Sequence, residues 1–331
     1  NSVGASGSFE STNNSAFGAD ALWNNTTGYG TSAFGAQALQ NNTTGYLNNA
    51  FGAGALFSTT TGNYNNAFGS DALYSNTSGH SNTAFGDLSS SGVTTGSHNV
   101  SVGYRAMSLT TIGTLNTALG SNALYYNKAG SKSTAVGAEA LRNADNTITA
   151  VDVNNVAVGY RAMYGSNTQA NNTGKSNTAI GSLSLDAFTS GSNNVALGSN
   201  ALTNTTSGNF NSALGNNTLL NNRANSRSTA VGYGAMERAD SRSTGRDTYN
   251  TAVGVFALRG STTAANNTGL NNTAVGDLTL AANTSGSGNV ALGKDALQNN
   301  TAGSNNTIIG YQAGSANTSG SGNIFIGYLA G

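Results

Sequence analysis

Apolar residues recur along this chain at a fixed phase. The stretch Asn13-Asn14-Ser15-Ala16-Phe17-Gly18-Ala19-Asp20-Ala21-Leu22 returns in altered form from end to end. The glycine that closes Ala-Phe-Gly can be followed through Gly18, Gly35, Gly52, Gly69, Gly86, Gly103, Gly120, Gly137, Gly159, Gly181, Gly198, Gly215, Gly232, Gly254, Gly276, Gly293, Gly310 and Gly327, at spacings of 17 residues or, four times, 22. A fixed period of this length marks a stacked repeat architecture. The residue before each anchor glycine is always apolar, Phe in the first five coils and Val, Leu or Ile afterwards. The residue two before is Ala in 15 of 18 coils, with Ser101, Ile308 and Phe325 as exceptions. Four residues after the anchor stands Leu or Met, again in 15 coils. Asn and Thr follow, and often a second glycine, as in Thr26-Thr27-Gly28 and Thr43-Thr44-Gly45.

The short apolar runs predict strands and the Asn-Thr-Thr-Gly runs predict turns, with two strands of about five residues and two turns in a 17-residue coil. The expected fold is all-β: a parallel β-solenoid or β-roll of about 18 coils in 17- and 22-residue repeats. At ~4.8 Å per coil it would extend roughly 85 Å. Ordering a coil's backbone costs roughly 17–34 kcal/mol, while its two large apolar side chains return only about 3–6 kcal/mol. Stacking and Asn and Thr ladders must therefore supply most of the stability.

Adjacent residues of a strand face opposite ways. Placing Phe17, Phe34, Phe51, Phe68 and Phe85 in the core with Leu22, Leu39, Leu56 and Leu73 turns the alanine column outward. That column comprises Ala16, Ala33, Ala50, Ala67, Ala84, Ala118, Ala135, Ala157, Ala179, Ala196, Ala213, Ala230, Ala252, Ala274 and Ala291. An outward position that is small and apolar throughout predicts an interface with another copy of the chain. Crowding inside the chain is the alternative reason for alanine.

A second period of 95 residues overlies the first. Asn82-Thr83-Ala84-Phe85-Gly86 matches Asn177-Thr178-Ala179-Ile180-Gly181 and Asn272-Thr273-Ala274-Val275-Gly276. The chain reads as one continuous solenoid: plain coils over 1–85, five-coil modules over 86–180 and 181–275, and a truncated third module over 276–331. Each full module holds two coils enlarged by five residues. Their loops carry Arg142, Asp145 and Asp152 in one module, and Arg238, Asp240, Arg242, Arg246 and Asp247 in the other. Such loops either bind something or are solvated decoration.

Composition sharpens this picture. Proline is absent, which fits continuous bonding between coils, since proline cannot donate a ladder hydrogen bond. Cysteine is absent too, so neither disulfides nor thiolate metal sites enter. Charged residues are 8% and the net charge is zero, which argues against nucleic-acid or membrane partners. No apolar run approaches the ~18 residues of a transmembrane helix. The start at Asn1 reads as a processed or partial chain.

Candidate chemistry is sparse. His80 and His98 fall in turns of neighbouring coils, but no acidic or thiol cluster joins them as metal ligands. No nucleophile elbow, phosphate loop or pair of acids at glycosidase spacing is present, so neither catalysis nor a cofactor is expected. Tyr29, Tyr46, Tyr64, Tyr104, Tyr160, Tyr233 and Tyr311 lie in turns or beside anchors, where they either pack the turn or offer rings to sugars.

Asn-Thr-Ala-Val/Ile-Gly-x-x-Ala-Leu followed by Asn-Thr-Thr-Gly resembles the repeats of bacterial and phage tail-fibre-like proteins. It is also similar to the head repeats of trimeric autotransporter adhesins, though those run near ~14 residues. The resemblance covers nearly the whole chain at low complexity. It implies a left-handed homotrimeric β-roll, intertwined or side by side, with the alanine column near the threefold axis. The ending Gly322-Asn323-Ile324-Phe325-Ile326-Gly327 looks like the tract preceding a self-cleaving chaperone in tail-fibre-like proteins. The expected role is a non-catalytic structural fibre or filament subunit at a cell surface or on a virion, partnered by itself as a homotrimer or an end-to-end polymer. A glycan-binding adhesin module is the alternative. An ice-binding protein, using the partial threonine ladder of Thr26/Thr27, Thr43/Thr44, Thr60/Thr61 and Thr94/Thr95, is a further one.

Overall fold

The structure, a computed structural model, describes residues 13–144 and 148–331. It is a parallel β-solenoid of about 18 turns, with only two short 3-10 turns, Gln169–Asn171 and Ala264–Asn266, as helix among the described residues. The chain divides into two compact units, Asn1–Arg161 with Asn167–Asn172, and Ala162–Ser166 with Thr173–Gly331. The first holds nine three-residue strands in one sheet, from Ser15–Phe17 to Val156–Val158; the second holds nine more, from Thr178–Ile180 to Ile324–Ile326.

Each coil contributes one strand to this sheet where two were expected; among the described residues a second strand forms only where Gly130–Ser131 pairs with Val151–Asp152. Strands pair in parallel with no slip, Ala33 against Ala50 and Ala50 against Ala67, so like residues stack on like. The stretch around each leucine is a bend, because residues two and four after the anchor take left-handed backbone. Gln37 has φ 61° and Leu39 φ 51°, and a third such residue precedes each strand, as at Leu47 with φ 53°. Extended structure cannot run through alternating left-handed residues. The bends still bond from coil to coil: Leu39 N donates to Ala55 O at 3.0 Å, and Gln37 N to Ala19 O at 2.7 Å.

The anchor glycine is dictated twice over. Gly52 has φ 145°, a region other residues rarely enter, and a Cβ there would lie 2.3 Å from the Gly69 carbonyl oxygen of the next coil. The 17-residue beat is therefore the beat of this close approach.

The strand faces are the reverse of the expected ones. The alanine column points into its own coil: Ala33, Ala50 and Ala67 are fully buried within the single chain. The phenylalanines point out, Phe17 being 74% exposed and Phe85 58%, with Phe34 and Phe51 also exposed and Phe68 partly so. Leu22, Leu39, Leu56 and Leu73 do form the core, together with Ala21, Ala38, Ala55 and Ala72. The reason is width. A narrow coil brings leucine close to the opposite wall, and only a methyl group fits there. The exceptions prove the pairing. Where leucine is replaced by Gly314, the same coil's alanine is replaced by Ile308, 3.3 Å from where the glycine's Cβ would be. Gly331 and Phe325 repeat the exchange. In a third place the core turns polar: Ser89 and Ser90 occupy the usual alanine and leucine positions, and both hydroxyls lie 2.7 Å from the hydroxyl of buried Ser101.

Asparagine lines the remaining wall. Asn65 donates its side-chain amide to Gly79 O at 2.9 Å and to Asn48 Oδ1 at 3.1 Å, and that same Oδ1 accepts the Asn65 backbone N–H at 2.9 Å. The pattern repeats through Asn82, Asn99 and Asn116 in the first unit and through Asn272, Asn289, Asn306 and Asn323 in the second. These buried amides are thereby satisfied, as burial demands.

The widened coils keep the 95-residue period in their contacts. Lys132 pairs with Asp152 at 2.7 Å, and Arg227 with Asp247 at 3.0 Å. Asn172 Nδ2 donates to Asn143 O, and Asn267 Nδ2 to Arg238 O. Asp145 lies outside the described residues. Asp240 is no solvated decoration. Its side chain is 1% exposed and accepts from Arg242 Nη2 at 2.5 Å, Arg242 Nε at 2.9 Å and the Arg242 backbone N–H at 3.0 Å, with Arg246 Nη2 at 3.2 Å. Burial pushes this carboxyl up, but the hydrogen bonds and charge of Arg242, with the charge of Arg246, outweigh it and hold it below the usual carboxylate range.

Candidate interaction surface

The outward face of each sheet consists of the first and third residues of every strand. The first residue is Thr, Ser, Asn, Val or Ile, and the third is Phe, Val, Leu or Ile in every coil. Because strands stack without slip, the third residues form an unbroken apolar column, nine rungs in each unit. In the first unit it begins with a ring stack. Phe34 and Phe51 lie 5.0 Å apart and parallel, Phe51 and Phe68 4.9 Å, and Phe68 and Phe85 5.8 Å with a 31° tilt. In the second unit Ile180, Leu197, Leu214, Val253, Leu292 and Ile326 stand exposed. A parallel sheet normally has both faces covered. Here one face is covered by the coil itself and the other carries a continuous apolar stripe.

The expected interface was the alanine column from Ala16 to Ala291. It is interior, so it cannot meet another chain, and the outward apolar position is the one then assigned to the core. Two signals in the sequence already pointed this way. Ile308 and Phe325 break the alanine column in the same two coils in which Gly314 and Gly331 break the leucine column, which places alanine opposite leucine. The outward column also varies freely among Phe, Val, Leu and Ile, as a position without a fixed cavity can.

The tyrosines singled out in the sequence mostly spend their ring faces on neighbours. Tyr29 and Tyr46 stack at 4.9 Å with planes 2° apart, and Tyr311 and Tyr328 at 5.5 Å. Tyr64 sits edge-on to Tyr46, Tyr233 edge-on to Phe256, and Arg105 covers Tyr104. His80 and His98 come together, rings 4.8 Å apart and nearly perpendicular. Among the described residues no group of three or more His, Asp or Glu could hold a metal ion. The threonine ladder is bonded along the chain: Thr26, Thr43, Thr60 and Thr94 each donate their hydroxyl to the carbonyl of the next coil's threonine, at 2.8–3.2 Å. Those donors are thus used internally. No helix among the described residues is long and apolar enough to cross a membrane.

No protein-family model matches this sequence, and a search of curated proteins finds no match.

Proposed function

We propose that the chain is a non-catalytic structural subunit of an extracellular fibre or filament, assembled as a homotrimer through its outward apolar columns. The observation that carries this reading is the column itself, apolar at every rung, with eleven of its eighteen rungs exposed and the other seven partly so. A stripe that repeats the same residue type rung after rung suits contact along a length and not reaction at a point. The tail-fibre-like resemblance favours three copies and a surface location.

The energetics favour use of the whole stripe. Covering one half-exposed Phe or Leu contributes about 1 kcal/mol. Nine rungs supply roughly 9 kcal/mol, which merely offsets the ~4–15 kcal/mol cost of association. A lasting assembly needs the columns of both units.

The test is a charge placed on the stripe. Phe51→Glu together with Leu197→Asp should convert a trimer, measured by analytical ultracentrifugation, into monomers whose circular dichroism is unchanged, because neither side chain packs in the core. A wild-type chain that sediments as a monomer at micromolar concentration would overturn the proposal.

A further inference from the structure

One place on the first unit breaks the regular surface. The position five residues after the anchor carries Trp23, Gln40, Phe57, Tyr74, Ser91, Ser108 and Tyr125 in successive coils. Phe57 and Tyr74 stack with ring centroids 4.9 Å apart and planes within 5°. The next two coils offer only serine, so the stack ends and the second face of Tyr74 has no ring against it. The following position adds to the gap. Gly92 stands where the neighbouring coils carry Ser75 and Leu109, and a Cβ there would lie 2.6 Å from Ser108 O. The floor is thus held bare by the close approach of backbone.

The result is a groove of about 290 Å³, lined by Asp71, Tyr74, Leu88, Ser91, Gly92 and Ser108 among others. Its polar groups are ordered in advance. The hydroxyls of Ser91 and Ser108 lie 2.9 Å apart, and Ser108 is buried. Asp71 arches over Gly54 of the preceding coil beside the Tyr74 ring. Its carboxylate makes no hydrogen bond or ion pair with the described residues, although Asp87, in the coil above, accepts from the Ser70 N–H.

An open aromatic face, an apolar wall, a free carboxylate and a pair of hydroxyls are complementary to one kind of small molecule. A pyranose ring presents C–H groups on one face and hydroxyls around its edge. We propose that this groove binds one neutral hexopyranose unit of a glycan, with its C–H face on Tyr74, two hydroxyls donating to Asp71, and Ser91 and Ser108 bonding a third. The volume sits at the lower end of small-molecule sites, about 300 Å³ upward, so one ring fills it. The unpaired carboxylate disfavours acidic sugars. None of the residues that would hold the sugar is a rung of the apolar column, so the proposal stands or falls apart from the assembly proposed above.

Saturation-transfer NMR on the full chain tests it, using the methyl glycosides of glucose, galactose and mannose, N-acetylglucosamine, and N-acetylneuraminic acid as the acidic probe. At least one neutral probe should bind with millimolar Kd while the acidic one does not. Tyr74→Ala should abolish that signal, and Asp71→Asn should weaken it about tenfold, the loss of a charge-assisted hydrogen bond. Ser91→Tyr should abolish it without lowering Tm, because the new ring continues the Phe57–Tyr74 stack and covers the open face. No transfer from any neutral probe at millimolar concentration would overturn the proposal, as would binding that survives both Tyr74→Ala and Ser91→Tyr.

Discussion

Leucine suits left-handed backbone badly, yet Leu22, Leu39, Leu56 and Leu73 adopt it, each with φ between 51° and 57°. A left-handed residue costs roughly 1–2 kcal/mol, and each plain coil carries three. Stacking overrides that local preference, because every such residue also bonds the coil beside it. Buried charge is the other residue-scale extreme. The Asp240 carboxyl, held below the usual carboxylate range, contributes stability that is complete above its unfolded pKa of ~3.9 and is lost as pH falls through its folded value. Thermal melts of the wild type should therefore drop below about pH 4 more steeply than those of Asp240→Asn, and parallel curves would refute the assignment. At this scale the sequence was legible in part. The anchor glycine and the core leucines could be read from phase alone. Which neighbour of the Ala-Phe pair faced inward could not, because both are apolar and alternation is silent on sign. The size exchange at Ile308 and Gly314 held the answer.

At the scale of the element, three-residue strands are too short to stand by themselves, and the asparagine column does as much as the sheet to join coils. Asn82 donates to Gly96 O at 2.9 Å and accepts from the Asn99 backbone N–H at 3.0 Å, wholly out of water. Asn82→Asp preserves shape but sets a carboxylate oxygen against a carbonyl. It should destabilise the chain by about 3 kcal/mol at neutral pH, read as a shifted denaturant midpoint, whereas the exposed Asn24→Asp should be nearly neutral. Equal effects would show that the buried amide column does not hold the coils. The sequence announced asparagine-rich turns, but it could not announce that asparagine four residues before the anchor is interior. Asparagine is a turn residue by habit, and burial became visible only when identical residues were stacked in register. The second strand expected in each coil is missing from nearly all of them for a related reason: apolar composition around leucine resembles a strand, while its backbone is bent at every second residue.

At the scale of the whole molecule, like stacks on like, so a coil's neighbours are nearly interchangeable. Stability then approximates a sum over coils and their interfaces. Deleting residues 53–69 removes one full turn and joins Gly52 to Ser70 in phase. The shortened chain should keep its circular dichroism and a Tm within about 5 °C of the original. Deleting only 53–61 should unfold the first unit, since it stacks Asn65 on Leu39 and Asn76 on Ala50. Survival of both deletions would mean that phase does not govern folding. Repeat architecture and the 95-residue modules were plain in the sequence because periodicity needs no geometry. The sugar-sized groove was not, because it arises from what is missing on two successive coils, Ser91 and Ser108 following Tyr74.

The asparagine column has one more property. Every bond from one amide to the next runs the same way, the later residue donating to the earlier, from Asn116 back to Asn48 and from Asn323 back to Asn272. The sheet's own bonds run in both directions and largely cancel, as Ser32 N to Asn48 O and Gly35 N to Phe17 O illustrate. The same amide nitrogen also donates forward to a glycine carbonyl of the following coil, as Asn65 to Gly79 O and Asn82 to Gly96 O. One uncharged side chain per coil therefore clamps the coil before it and the coil after it, so losing a single asparagine loosens two junctions at once.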